Sequence, residues 1–281
     1  MQFRDISELV RLQKEYTDSL YLDAIEANYS HEMFTPLNSI MTNCQIVLKK
    51  LQELSVKNEG ASNRNYANMM KFSKIHVSLT NQILRSSEIM YFYNKNIIIN
   101  MHLRRGSVDI NKSYTNKVQM IIDEVIRPFD FQIENRQIKV FFQIGDNLDN
   151  FIEADWNLYQ LLMFNIVQNA VKYNKFGGMI TLKLDIVQVG FGRKWFLQTE
   201  VFDTGSGIDK KRLSFLFKAF GELRRFNSLK EVKDNGIGIG LTCSKSIVDF
   251  MGGDIQIKSQ PELTNVTVSI PVNIVDKAQA K

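Results

Sequence analysis

Asn165 and Asn169 stand four residues apart in "DWNLYQLLMFNIVQNAVKYN", so on a helix they share one face, with Lys172 and Tyr173 one turn further on. Asparagine disfavours helix interiors because its amide competes for the backbone, and two of them beside Leu161, Leu162 and Ile166 need a reason. One reason is hydrogen bonding between core polars. Another is a magnesium ion, which takes oxygen ligands and keeps several waters while bridging nucleotide phosphates. Downstream, "DTGSGI" (Asp203–Ile208) follows a predicted strand. A carboxylate there can accept a hydrogen bond from an exocyclic amine such as that of adenine, and Gly205 and Gly207 let the chain turn tightly against a flat ring. The same pattern also makes an ordinary turn. "NGIGIGL" (Asn235–Leu241) sets Gly236, Gly238 and Gly240 before a helix, which provides either an anion site built from free N–H groups or mere flexibility. It is not a Walker A loop, since no Gly-Lys-Ser/Thr follows, and the third glycine comes too early for a Rossmann turn.

Two further stretches carry chemical side chains. "NYSHEMFTPLNSI" (Asn28–Ile40) places His31 beside Glu32 and then Pro36 within a predicted long helix, where an interior proline costs about 3 kcal/mol. Residues 209–235 hold eight Lys or Arg and four Asp or Glu, with Phe215, Phe217 and Phe220 as apolar anchors. A cationic flap over a triphosphate has this composition, and so has a solvated loop.

The elements that must position these groups follow from periodicity and glycine. Only Gly60 of the 15 glycines precedes residue 106, and 12 fall between Gly177 and Gly253, which predicts a helical first part and a loop-rich second part. Phe34, Leu37, Met41, Cys44, Leu48 and Leu51 form a heptad seam, and Phe72, His76, Leu79, Ile83 and Met90 form a second after the polar turn "KNEGASNRN". A lone helical hairpin cannot bury both sides of its seam, so two chains are expected to pair into a four-helix bundle, with His31 at its surface. The second part alternates predicted helices ("KVQMIIDEVIRPF", the long Asn-bearing helix, "CSKSIVDFMGG") with strands ("RQIKVFFQI", "GGMITLKLDIVQV", "KWFLQTEVFD", "DIQIKSQ", "NVTVSIPV"). That order predicts a sheet covered by helices on one face. The fold class expected is therefore α+β.

Bulk properties exclude some functions. The net charge of +5 is spread out, with 13 basic and 10 acidic residues before position 106 and 22 and 20 after it, so no basic arm or face argues for nucleic acid. Cys44 and Cys243 lack paired spacing, which suits reduced thiols in a cytosolic setting. No apolar run approaches the 18 or more residues of a membrane span and the start lacks a signal-peptide core. The expectation is a cytoplasmic chain with no membrane contact of its own, standing alone or as the cytosolic part of a membrane-associated protein.

In order, His-Glu-x-x-Thr-Pro-Leu-Asn, the paired asparagines, Asp-x-Gly-x-Gly and Gly-x-Gly-x-Gly resemble the sensor histidine kinases of two-component and phosphorelay signalling. "SHEMFTPLNSI" is similar to that family's H box, "NIVQNAVKYN" to its N box, "DTGSGI" to G1, "LFKAF" to the F box and "GIGIGL" to G2; "EADWNLYQLL", with Asp155, and "SIVDFMGGDIQIKS" match as well. The resemblance implies four segments: a signalling helix or linker (1–20), a dimerisation and phosphotransfer hairpin (21–105), a GHKL or Bergerat-type ATP-binding sandwich (106–276) and a tail (277–281). It implies ATP and Mg2+ as cofactors, a homodimer, and a response-regulator receiver domain as partner.

Residue by residue, the resemblance makes His31 the phosphoryl acceptor and Glu32 the base that holds the proton on its other nitrogen. Thr35 would position water for the reverse reaction. Asn169 would bind magnesium, Lys172 a phosphate, and Tyr173 would pack near base or ribose. Asp203 would read the adenine amine, while Gly205, Gly207, Gly236, Gly238, Gly240, Leu241, Phe217 and Phe220 would shape the pocket and its lid. Asn165 falls in the same ATP-binding set, at the position where related ATPases carry a glutamate that activates water. An amide is a poor base, which favours phosphoryl transfer over hydrolysis. Two departures stand out: Phe34 replaces a usual basic residue, and isoleucines replace Thr and Leu in the G2 box. They keep open a weak kinase or a nucleotide-binding scaffold, beside a plain ATPase or a serine kinase of the superfamily.

Overall fold

The computed structural model describes residues 35–47, 49–50, 65–189, 194–209 and 239–275. The described residues divide into two compact units, one within Tyr29–Lys95 and the other within Asn96–Lys281. His31, Glu32, Phe34, Phe217, Phe220, Gly236 and Gly238 lie outside the described residues.

In the first unit, helix α1 (residues 35–47 and 49–50) accompanies the first part of α2 (Asn65–Arg105). Thr35 is exposed and Pro36 buried. The two helices meet through small polar groups: Ser86 Oγ donates to Ser39 Oγ at 3.1 Å, and Asn43, itself buried, donates to Ser39 Oγ at 3.4 Å. From α2, Leu79 is buried and Ile83 and Met90 are half-buried. Of the α1 seam, the described residues Leu37, Met41 and Cys44 are exposed. On α2, Val77, Leu84, Tyr91 and Ile98 form an exposed row at seven-residue intervals, each between 50% and 58% accessible. Seven-residue apolar spacing is the pattern of a helix that packs along another helix.

The second unit is built on a mixed sheet. Its strands are β1 (Ser113–Thr115), β2 (Lys139–Ile144), β3 (Phe151–Ala154), β4 (Met179–Val189), β5 (Lys194–Asp203), β6 (Asp254–Gln260) and β7 (Leu263–Val275). They run β1-β3-β7-β5-β4-β2, with β6 also paired to β7. Among the described strands only β2 and β4 pair in parallel. Strands β1 and β3 have no counterpart in the sequence reading, because three or four residues are too few to show a period.

Along β4, Ile180, Leu182, Leu184 and Ile186 point inward, and along β5 Leu197, Thr199, Val201 and Asp203 do. This period-two alternation gives the sheet one apolar face. Helices α3 (Val118–Ile126), α5 (Trp156–Lys172) and α6 (Ile239–Phe250) cover it; a short α4 (Asp130–Asn135) leads into β2. Helix α5 lies at the centre, packed by α3, α6 and β5, and buries Leu158, Tyr159 and all seven residues from Leu161 to Val167. A helix buried all round is apolar all round, which is why Asn165 at 1% exposure is anomalous there.

Asp155 caps α5, accepting from Leu158 N at 3.0 Å, and its other oxygen accepts from Asn111 N at 2.8 Å. Trp156 Nε1 donates to Ser113 O at 2.8 Å. The two bonds tie the strap entering β1 to the start of the asparagine helix. Asn100, near the end of α2, is 2% exposed, and among the described residues its Nδ2 has no hydrogen-bond partner. An unsatisfied buried donor costs about 1–3 kcal/mol, so Asn100→Leu is expected to raise the stability of the isolated chain by about 1 kcal/mol, read as a shift of the denaturant midpoint at constant m-value. An unchanged or lower midpoint would show that this amide is satisfied in solution.

Candidate nucleotide-binding site

The site is built where the C-terminal end of α5 meets the end of β5. Asp203 is the last inward position of β5, 8% exposed, opposite Ile180 of β4. Its Oδ1 accepts from Gly205 N at 2.9 Å. Among the described residues Oδ2 accepts no hydrogen bond. Burial pushes this carboxyl up to about 6, the Gly205 N–H pulling the other way. A buried carboxylate with one oxygen tied to the backbone and the other uncommitted is a poised acceptor.

The turn after α5 and the turn after β5 are held together by a small network. Tyr173 O accepts from Ser206 N at 3.1 Å. Asn174 donates from Nδ2 to Met179 O at 3.2 Å, and Thr204 Oγ1 accepts from Met179 N at 2.8 Å and donates to Asn174 Oδ1 at 3.4 Å. Gly205 is required by close approach: a Cβ there would collide with the Tyr173 carbonyl and with Asp203 Oδ1, 2.7 Å away. Gly207, at φ +70°, would strain any side chain and would collide with the Gln260 carbonyl.

Arg136 closes the end of α5 from outside, its Nη1 donating to Val171 O and Lys172 O at 2.9 Å each. A guanidinium there satisfies carbonyls left open at a helix C-terminus and meets the negative end of its dipole. Asn174, Thr204 and Arg136 carry no local pattern that marks them as part of the site. The Asn that ends "NAVKYN" and the Thr inside "DTGSGI" were in view, but only the folded chain brings them within hydrogen-bonding distance.

The other expected site residues divide clearly. Asn169 is half-buried on α5, and Lys172 and Tyr173 are exposed just beyond it, with Lys172 Nζ 5.5 Å from the centre of the Tyr173 ring. Gly240 and Leu241 are in the first turn of α6. Asn165 is engaged elsewhere: its Nδ2 donates to Asn96 Oδ1 at 2.9 Å and its Oδ1 accepts from Asn96 Nδ2 at 2.8 Å. Among the described residues no three His, Cys, Asp or Glu side chains gather to hold a metal. The Asn169 amide oxygen would suit a magnesium ion whose other ligands are waters and phosphates, which needs no all-protein cage.

Residues 154–274 match the family described as "Histidine kinase-, DNA gyrase B-, and HSP90-like ATPase". Over 273 residues the chain is 27% identical to the autoinducer 2 sensor kinase/phosphatase LuxQ of Vibrio parahaemolyticus, covering 95% of this chain and 28% of that one. It is 26% identical over 268 residues to the sensor histidine kinase WalK of Bacillus subtilis, covering 95% and 38%. The chain thus spans well under half the length of these curated relatives. Among solved structures, full-length ShkA in complex with AMPPNP aligns with a TM-score of 0.51 at 18% identity, over 89% of this chain and 46% of that one, a likeness of fold. The chain is accordingly similar to sensor histidine kinases, and its residues 154–274 match the histidine kinase-, DNA gyrase B- and HSP90-like ATPase family.

Proposed function

We propose that the chain is the core of an ATP-dependent histidine autokinase, which phosphorylates its own His31 and hands the phosphoryl group to an aspartate of a response-regulator receiver domain. The observation that carries the nucleotide half of this reading is Asp203: buried at the end of β5, held by Gly205, with Oδ2 uncommitted among the described residues. A carboxylate so placed accepts from the exocyclic amine of adenine, and Gly205 and Gly207 let the chain lie close to the ring. Lys172 and Tyr173 end α5, tied to the turn after Asp203 by the Ser206 N–Tyr173 O bond, and are the side chains that would meet phosphate and ribose. Magnesium, when bound, neutralises phosphate charge, and Asn169 is the side chain that would hold it, through its amide oxygen.

In this reading His31 attacks as the neutral imidazole while Glu32 keeps the proton on the other ring nitrogen; Thr35, exposed on α1, orients water for the reverse hydrolysis. A second copy of the chain is proposed as partner. Support comes from the exposed row Val77, Leu84, Tyr91 and Ile98 and from the outward Leu37 and Met41, apolar surface that a helical bundle of two chains would cover.

The test is a melting experiment with and without MgATP. Ligand at 100 times its Kd stabilises the native state by about 2.7 kcal/mol, so wild type should melt several degrees higher with millimolar MgATP, and Asn169→Ala should lose most of that increment. An unmoved wild-type melting temperature would favour a scaffold that keeps the fold without the nucleotide.

A further inference from the structure

Resting on the nucleotide-site reading, we propose that Asn165 serves the site from beneath, as a positioning residue latched by Asn96, and that it ligates neither nucleotide nor metal. Both polar atoms of the Asn165 amide are taken by Asn96 in a reciprocal pair at 2.8 and 2.9 Å, and the residues are 1% and 6% exposed. The pair is not isolated. Cys243 Sγ on α6 lies 3.2 Å from Asn96 Oδ1 and donates to it. Burial holds that thiol up to about 12, so it stays protonated as a donor. Gly240, in the first turn of α6, packs on the same amide: a Cβ there would sit 3.6 Å from Asn165 Oδ1.

Three elements therefore converge on one side chain: the last turns of α2 through Asn96, the central helix α5 through Asn165, and α6 through Gly240 and Cys243. A reciprocal amide pair has a single good geometry, and in an apolar surround a displaced partner is expensive. It sets the rotation of α5 against α6 and, one turn along α5, the direction in which Asn169 points. The four-residue spacing then divides the labour, with Asn165 turned into the core and Asn169 toward the ligand. Asn96 thereby influences nucleotide affinity without being on the nucleotide-binding motifs.

The experiment measures MgATP affinity by titration calorimetry, well below the melting temperature, for wild type, Asn96→Ala, Asn165→Ala, the double variant and Asn169→Ala as control. The double variant leaves no orphaned amide and keeps the proposal testable if one single variant folds poorly. Each single change is expected to weaken binding about tenfold, the double no more than either alone. The loss should be the same for ATP with magnesium or with chelator, since no metal ligand is removed. Loss of MgATP in Asn165→Ala with wild-type affinity in Asn96→Ala would overturn the proposal and make Asn165 a ligand. Lowered melting temperatures with unchanged affinities would overturn it in favour of a purely structural pair. Unchanged affinity in Asn169→Ala as well would instead remove the nucleotide-site reading beneath it.

Discussion

His31→Gln is expected to take up less than about 1% of the wild-type label from γ-labelled ATP, because removing the nucleophile removes the covalent step. In the proposed reaction a ring nitrogen of neutral His31 forms a bond to the γ-phosphorus while the bond to the ADP oxygen breaks. The product is a phosphoramidate. Acid protonates its ring nitrogen and makes it a good leaving group, whereas base does not, so wild-type label should be lost in acid and kept in alkali. Glutamine preserves size and polarity, and His31 is far from Asp203 in sequence. The melting increment with MgATP should therefore survive in His31→Gln. Acid-labile label in that variant would move the acceptor to another histidine, and acid-stable label in wild type would point to a serine kinase of the superfamily.

Asp203→Asn should separate stability from binding. The carboxyl is raised from 3.8 to about 6 by burial, so the folded state binds its proton more tightly than the unfolded chain does. The sign follows from linkage. Its contribution to stability is fully present below about 4 and is lost as the pH rises through about 6, leaving an ionised, poorly solvated carboxylate above that. A rise of that size corresponds to at most about 3 kcal/mol. Asparagine carries no such charge. The variant should be more stable than wild type at pH 8 by up to about 3 kcal/mol, with the gap closing as the pH approaches 4.

Nucleotide affinity should move the opposite way. With the amide oxygen held by Gly205 N–H, the variant turns an N–H2 group where the carboxylate oxygen stood, and that group faces the adenine amine donor to donor. A loss of about 100-fold in MgATP affinity is expected, about 3 kcal/mol. Chemical denaturation at pH 4, 6 and 8 beside calorimetric titration checks both halves. Equal stabilities at pH 8 would remove the buried-carboxylate account, and wild-type affinity would remove Asp203 from the site.

Much of this was legible before folding. The long asparagine helix, the β4–β5 pair, the β6–β7 pair and the helix before Gly252 all lie where periodicity and glycine place them, since each is long enough to repeat its pattern several times. Asp203 could be singled out because an acid followed by two glycines at the end of a strand is a local pattern. Less legible were β1 and β3, too short for a period, and Arg136, whose partners on α5 are 35 and 36 residues away.

Sequence alone determined the kinds of side chain and their order: an acid before glycines, two asparagines one turn apart, a histidine beside a glutamate. These are properties of neighbours within a few residues, where backbone geometry is nearly independent of the rest. Only the tertiary structure decided that the two asparagines part company. Asn96 is 69 residues from Asn165 in the chain, and nothing local distinguishes an amide that will face a ligand from one that will be met by another amide. That choice depends on which surface packs against the helix, and packing partners are set by the whole fold.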